Sequence, residues 1–168
     1  TGNPVEVEFA VTFPNKDQAF ARLVVLQVRP MKVSRKPVDL SVSEREDPGL
    51  LAYSEHVMGN GSFGGIRDVV YVKPEVFESR LTSQIAVELE SFNRRLQDDG
   101  AKYVLIGFGR WGSSEPWLGI PVNWSQISSA AVIVEATIPD MDVELSQGSH
   151  FFHNIQSFEV SYFSIQHE

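Results

Sequence analysis

Two short runs near the N-terminus place polar groups among apolar ones with period two: Val5-Glu6-Val7-Glu8-Phe9-Ala10 and Val24-Val25-Leu26-Gln27-Val28-Arg29-Pro30. Successive strand side chains point to opposite faces. Glu6 and Glu8 therefore share a face opposite Val5, Val7 and Phe9, and Gln27 and Arg29 share one opposite Leu26 and Val28. Paired as an antiparallel hairpin, the two runs bring a carboxylate, an amide and a guanidinium to one surface. A hard cation such as magnesium takes one or two carboxylates plus substrate phosphates, and a guanidinium grips phosphate through a planar fork of donors. The same alternation also describes an ordinary half-buried hairpin with a wetted, charged face.

Two further segments carry groups that suit an anion. Gly107-Phe108-Gly109-Arg110-Trp111-Gly112 fits G-x-G-x-x-G after an apolar run, but Pro116 and Pro121 interrupt the residues beyond it. A dinucleotide site needs a helix opening on the last glycines, so a Rossmann reading fails. The glycines instead let the backbone turn beneath Trp111, with Arg110, Ser113 and Ser114 facing a cleft suited to phosphate or carboxylate. Trp111, Trp117 and Trp124 read as residues packing a long loop onto a sheet. In Ser146-Gln147-Gly148-Ser149-His150-Phe151-Phe152-His153, Ser149 is placed to cap a helix whose free amides could hold an anion beside His150. His150 and His153 are three apart, too few for zinc unless Glu135 or another carboxylate joins them. The alternative is a capped helix with ordinarily bonded histidines. Adjacent Ser149 and His150 do not make a hydrolase, because the G-x-S-x-G elbow is absent.

The elements that must position these groups are set by periodicity. Met31 to Gly49 is rich in charge and proline and reads as a connector. Leu50 to Val57 and Arg67 to Val72 are strand-like runs flanking the glycine-rich MGNGSFGGI, expected to form a flexible hairpin; it lacks the lysine and following helix of a phosphate-binding P-loop. Leu81, Ile85, Leu89, Phe92 and Leu96 form one apolar stripe, predicting a helix over 81–98, capped by Ser79 or Thr82 and ended by Gly100. Tyr103 to Phe108 and Ala130 to Ala136 read as buried strands, Glu135 being the single charge in the second. Pro139 to Asp142 reads as a turn, Ser149 to Ser157 as a short helix and Phe158 to Ile165 as a closing strand. The expected fold is α/β, or α+β: a mixed sheet with one long amphipathic helix and a short second one, preceded by the hairpin. The expected divisions are 1–30, a connector over 31–49, and an α/β domain over 50–168.

The whole chain has 168 residues, enough for one good core, with 22 acidic against 14 basic residues and a formal net charge of -8. That balance argues against broad attraction to nucleic acid or anionic lipid, so any phosphate site must be local. Cysteine is absent, which excludes disulfides and thiolate chemistry and suits a reducing compartment. No run approaches the ~20 apolar residues that span a bilayer, and the expectation is a soluble, cytoplasmic protein. The start, directly before a strand and without Met, suggests a piece of a longer protein.

The stretches VEVEFA and VVLQVRP resemble the closing hairpin of the ATP-grasp-type nucleotide-binding domain in the phosphoenolpyruvate synthase and pyruvate phosphate dikinase family. The family pattern is an acidic residue in an (I/V)-E-(W/F) strand followed by a Q-x-R-P strand. The resemblance implies that Glu8 is a metal ligand and that Gln27 and Arg29 reach the ATP phosphates, Arg29 as the catalytic cation; Glu6 falls at a neighbouring position of no settled role. It covers about the first thirty residues. VLIGFGRWGSSEPWLGIPVNWSQIS and SQGSHFFHNIQSF are similar to the C-terminal region of a bacterial group of phosphoenolpyruvate synthase-related proteins, over most of residues 69–165.

The implied parent is an ATP- and magnesium-dependent phosphotransferase acting on pyruvate, with the missing part of the ATP-binding domain as this chain's partner. The chain has no lysine-bearing phosphate loop, no T-x-H phosphohistidine segment and no cysteine-bearing barrel. Alone it is expected to be inactive and to bind neither cofactor tightly, which leaves open whether it is an enzyme at all. The alternative function is a non-catalytic module binding a small anionic substrate or another domain through Arg110, Ser113, Ser114, Ser149 and His150.

Overall fold

The computed structural model describes residues 5–16, 18–30, 38–59, 61–139 and 141–167. The chain divides into two compact units, Thr1–Arg35 and Lys36–Glu168.

The first unit is a two-stranded antiparallel ribbon of β1 (Val5–Thr12) and β2 (Arg22–Pro30). Glu6 pairs with Arg29, Val7 with Val28 and Glu8 with Gln27; the register then shifts, so that Phe9 pairs with Val25 and Thr12 with Arg22. Leu26 is the extra residue of this bulge. The simple alternation expected on β2 therefore breaks at Leu26. Beyond it, Val25 and Leu23 join Val5, Val7, Phe9, Val11 and Val28 on one face, and all seven are exposed.

The connector expected over 31–49 falls partly outside the described residues, at 31–37. Its described part contains a short helix, α1 (Val42–Arg45), where the sequence suggested none. Ser41-Val42-Ser43-Glu44 is a capping box: the Glu44 carboxylate accepts from the Ser41 amide at 2.8 Å and its hydroxyl at 2.7 Å. Those bonds hold the Glu44 carboxyl below its ordinary range. Leu50 to Val57 is not a strand. Only β3 (Val57–Met58) pairs, and Ser54 ties the preceding loop by donating to the Ser164 carbonyl at 2.5 Å.

The second unit is built on a five-stranded mixed sheet. β4 (Asp68–Tyr71) leads through two 3-10 turns, at Pro74–Val76 and Ser79–Leu81, into α2 (Thr82–Asp98) and then β5 (Tyr103–Phe108). A long loop carries the two-residue strands β6 (Arg110–Trp111) and β7 (Gly119–Ile120) and a 3-10 turn, Trp124–Gln126, before β8 (Ala130–Ala136). A 3-10 turn (Ser149–Phe151) and α3 (Phe152–Ser157) precede β9 (Ser161–Ile165). The order is β3-β9-β8-β5-β4; β4, β5, β8 and β9 run parallel and β3 antiparallel. β3 and β4 thus lie at opposite edges, and the glycine-rich segment between them is a crossing and not the hairpin expected. Its Asn60 lies outside the described residues.

Register puts Val70, Leu105, Ile133 and Tyr162 in one row, and burial of the last three to 2% exposure or less marks the covered face. The neighbouring row of Val69, Val104 and Val132 is exposed to half-buried, whereas further along that same face Val134 and Phe108 are buried. On α2 the buried face is Thr82, Ala86, Leu89 and Asn93, rotated from the expected stripe and leaving Phe92 44% exposed. Neither Ser79 nor Thr82 caps the helix. Leu81 stands at the cap, and Thr82 Oγ1 donates back to the Ser79 carbonyl at 2.9 Å. The end is as expected: the amide of Gly100 donates to the Gln97 carbonyl at 3.0 Å and that of Ala101 to Leu96 at 2.8 Å, a Schellman motif.

Asn93 is buried at 1% exposure. Its Oδ1 accepts from Tyr103 Oη at 3.0 Å and the Ser129 amide at 2.9 Å, pinning α2 to β5 and to the start of β8. Among the described residues no helix is long and apolar enough to cross a membrane.

Candidate functional site

In the first unit, Glu6, Glu8, Gln27 and Arg29 occupy one face because directly paired residues of an antiparallel ribbon project to the same side. Arg29 Nη2 donates to Gln27 Oε1 at 2.6 Å, which fixes the guanidinium along β2. Thr12 and Arg22 extend the same face past the bulge. Two carboxylates, an amide and a guanidinium on one face are donor types that suit magnesium and a phosphate.

In the second unit, parallel strands run side by side and their carboxyl ends carry the loops singled out in the sequence. The turn after β5 is set by close packing. A Cβ on Gly107 would lie 2.3 Å from Trp111 Cζ2. The indole fills that space at 1% exposure and donates from Nε1 to the Val134 carbonyl at 2.8 Å. Trp111 therefore packs the loop onto the sheet as expected. Trp124 stacks on Phe158 with centroids 5.7 Å apart, whereas Trp117 is 63% exposed. The strand pair β6 and β7 occupies the place where a dinucleotide turn would open a helix.

The two motif loops meet. A Cβ on Gly112 would lie 3.4 Å from His150 Cβ, so residues 38 positions apart in sequence are neighbours. The join is made by Glu135, buried at 1% exposure in the row of Gly107 and Ser164. Its Oε1 accepts from the Trp111 amide at 3.0 Å and from Ser146 Oγ at 2.5 Å; its Oε2 accepts from the Ser146 amide at 2.7 Å and Tyr162 Oη at 2.8 Å. Burial first, then the facing Glu135 carboxylate, pushes the Tyr162 phenol well above its ordinary value. Arg110 Nε donates to the Glu144 carbonyl at 2.5 Å, a second tie between the loops. In the sequence Glu135 stands out only as a lone charge near a strand end; its partners lie 11, 24 and 27 residues away.

The remaining candidates divide. Ser113 is buried and closes its own turn, accepting from the Glu115 amide at 3.2 Å, while Ser114 is exposed. Ser149 and His150 are exposed in the 3-10 turn. Ser149 does not cap α3, which starts at Phe152 with Phe151 at the cap position and no side-chain cap. The hydroxyl that serves the turn belongs to Ser146, which accepts from the Gly148 amide at 3.1 Å. Among the described residues no group of three or more acidic or histidine side chains is arranged to hold a metal. A shallow pocket of about 350 Å³ is lined by Val38, Leu40, Arg45, Tyr53, Ser54 and Glu55, none of them a candidate above. No protein-family model, curated protein or solved structure matches the chain.

Proposed function

We propose that the hairpin is the nucleotide-facing edge of an ATP-dependent phosphotransferase resembling the phosphoenolpyruvate synthase and pyruvate phosphate dikinase family. The observation that carries this reading is the register that sets Glu6 against Arg29 and Glu8 against Gln27 on one face. In this reading Glu8 holds magnesium, and Gln27 and Arg29 hold the ATP phosphates. Magnesium, when bound, neutralises charge on the phosphates. Arg29 offers its fork to a phosphoryl group, and Gln27, bonded to Arg29 Nη2 at 2.6 Å, keeps that fork oriented. The work of these residues is positioning and electrostatics; the phosphoryl acceptor is a small organic acid of the pyruvate class, and the rest of the ATP domain is the partner. The chain alone carries no phosphohistidine segment and is inactive in isolation.

The test uses manganese as a paramagnetic stand-in for magnesium, with amide NMR resonances of the chain followed at millimolar ATP. Broadening centred on Glu6 to Phe9 and Gln27 to Arg29 that needs ATP and disappears in Glu8→Ala is the expected result. Broadening spread over other acidic residues, or indifferent to ATP, rejects it.

A second reading, a non-catalytic module for a small anion, draws on the contact of the two loops at Gly112 and His150. Here Arg110 supplies the charge, and Ser114, Ser149 and His150 supply exposed polar groups on the two loops. Thermal titration with phosphate or phosphoenolpyruvate is expected to stabilise the chain by about 2.7 kcal/mol at a hundredfold excess over Kd. Loss of that response in Arg110→Ala supports this reading, and its persistence removes Arg110 from it.

A further inference from the structure

We propose that Glu135 is the positioning residue of the anion site, a single buried carboxylate that fixes the Arg110 loop against the Ser149 and His150 loop. The inference rests on the second reading above. Burying an ionised carboxylate carries a desolvation cost of several kcal/mol, and a well-packed apolar side chain often serves stability as well. Leu105 and Ile133, in the next row on the same face, show what this face uses where only packing is needed. At Glu135 the chain instead gathers four donors. Three of them, the Trp111 amide and the Ser146 amide and hydroxyl, come from the two motif loops; the fourth, Tyr162, anchors the carboxylate to β9.

The neighbouring geometry is consistent with a site that is held open. Arg110 makes the second tie: its Nε is occupied by the Glu144 carbonyl, and neither Nη group has a hydrogen-bond partner among the described residues. Gln147, directly after the Ser146 ligand, is held at φ 52°, a left-handed conformation costing about 1 kcal/mol in a residue with a Cβ. Such strain persists only where surrounding bonds over-determine the backbone, and the Glu135 bonds to Ser146 do so here. The ligand class is an oxyanion small enough to meet one guanidinium and one imidazole, of which inorganic phosphate is the simplest.

The experiment tracks amide NMR shifts of the full chain during titration with inorganic phosphate, for wild type, Glu135→Gln, and Asn93→Ala as a destabilised control that sits at the start of β5 and β8 and shares no hydrogen-bond partner with Glu135. Saturable shifts at Arg110, Trp111, Ser149 and His150 are expected in wild type. Glu135→Gln keeps the shape but replaces one acceptor with a donor, and is expected to weaken phosphate at least about tenfold. Asn93→Ala is expected to bind as wild type does, a separation that a merely structural role of Glu135 would not produce. Should Glu135→Gln fail to fold, Ser146→Ala removes one of the four donors to Glu135, together with the acceptor of the Gly148 amide, and is expected to cost a smaller, measurable part of the affinity. Absence of saturable shifts in wild type overturns the anion reading and this inference together. Wild-type binding with undiminished affinity in Glu135→Gln, or in Ser146→Ala where that variant stands in, overturns the positioning role alone, as does equal weakening in Asn93→Ala.

Discussion

Gly107→Ala isolates the packing that shapes the loop after β5. The added Cβ would stand 2.3 Å from Trp111 Cζ2 and 2.5 Å from Cη2, far inside contact distance. The indole has no room to retreat: it is 1% exposed, held by its Nε1 bond to the Val134 carbonyl and by the bond from its own amide to Glu135. Overpacking a tight core costs about 1 to 3 kcal/mol, and shifting the ring out of reach of Val134 forfeits about 1 kcal/mol more. The expected loss is therefore about 3 kcal/mol. For a unit of this size that corresponds to a fall in Tm of about 10 °C. Differential scanning calorimetry reads the loss directly. Trp111→Phe in the Gly107→Ala background should return part of it, because the smaller ring vacates the space; a double-mutant cycle gives the coupling. A loss below about 1 kcal/mol, or additive single and double variants, refutes the reasoning.

Asn93→Ala leaves Tyr103 Oη and the Ser129 amide without their buried acceptor, and should lower stability by about 3 kcal/mol in urea unfolding; a cost under about 1 kcal/mol contradicts the role assigned to Oδ1. Tyr103 and Tyr162 both have phenols raised above their ordinary value near 10, chiefly by burial. A raised acid binds its proton more tightly folded than unfolded, so this stability is full below about pH 10 and is lost as pH rises past it. Each tyrosine should steepen the alkaline decline by about 1.4 kcal/mol per pH unit. Thermal unfolding between about pH 9 and 11 checks this: Tyr103→Phe and Tyr162→Phe should each flatten the slope, and an unchanged slope disproves it.

The strands Tyr103–Phe108 and Ala130–Ala136 are legible to the residue, because continuous apolar runs bounded by turn signals admit few other readings. The helix end at Gly100 is equally plain, since a chain that closes a Schellman turn announces itself locally. Its start is not, because the bond that Thr82 makes runs backwards to Ser79 and depends on the preceding 3-10 turn. Leu50 to Val57 misleads because its apolar residues suggest pairing, whereas Ser54 bonds to β9 across 110 positions. Candidate-site residues can be named from composition, but not their company. That Gly112 lies against His150, and that Glu135 stands between the loops, depends on a strand order no local pattern encodes.

The bulge at Leu26 works like a frameshift in the ribbon. Before it, even positions of β1 meet odd positions of β2; after it, even meet even. One surplus residue thus keeps Leu23 and Val25 off the side that bears the acids and brings Arg22 onto it. Had Leu26 paired with Phe9 in an unbroken ladder, Val25 would stand opposite Ala10 and Leu23 opposite Thr12, so that half of the ribbon would carry the wrong surface with its composition unchanged.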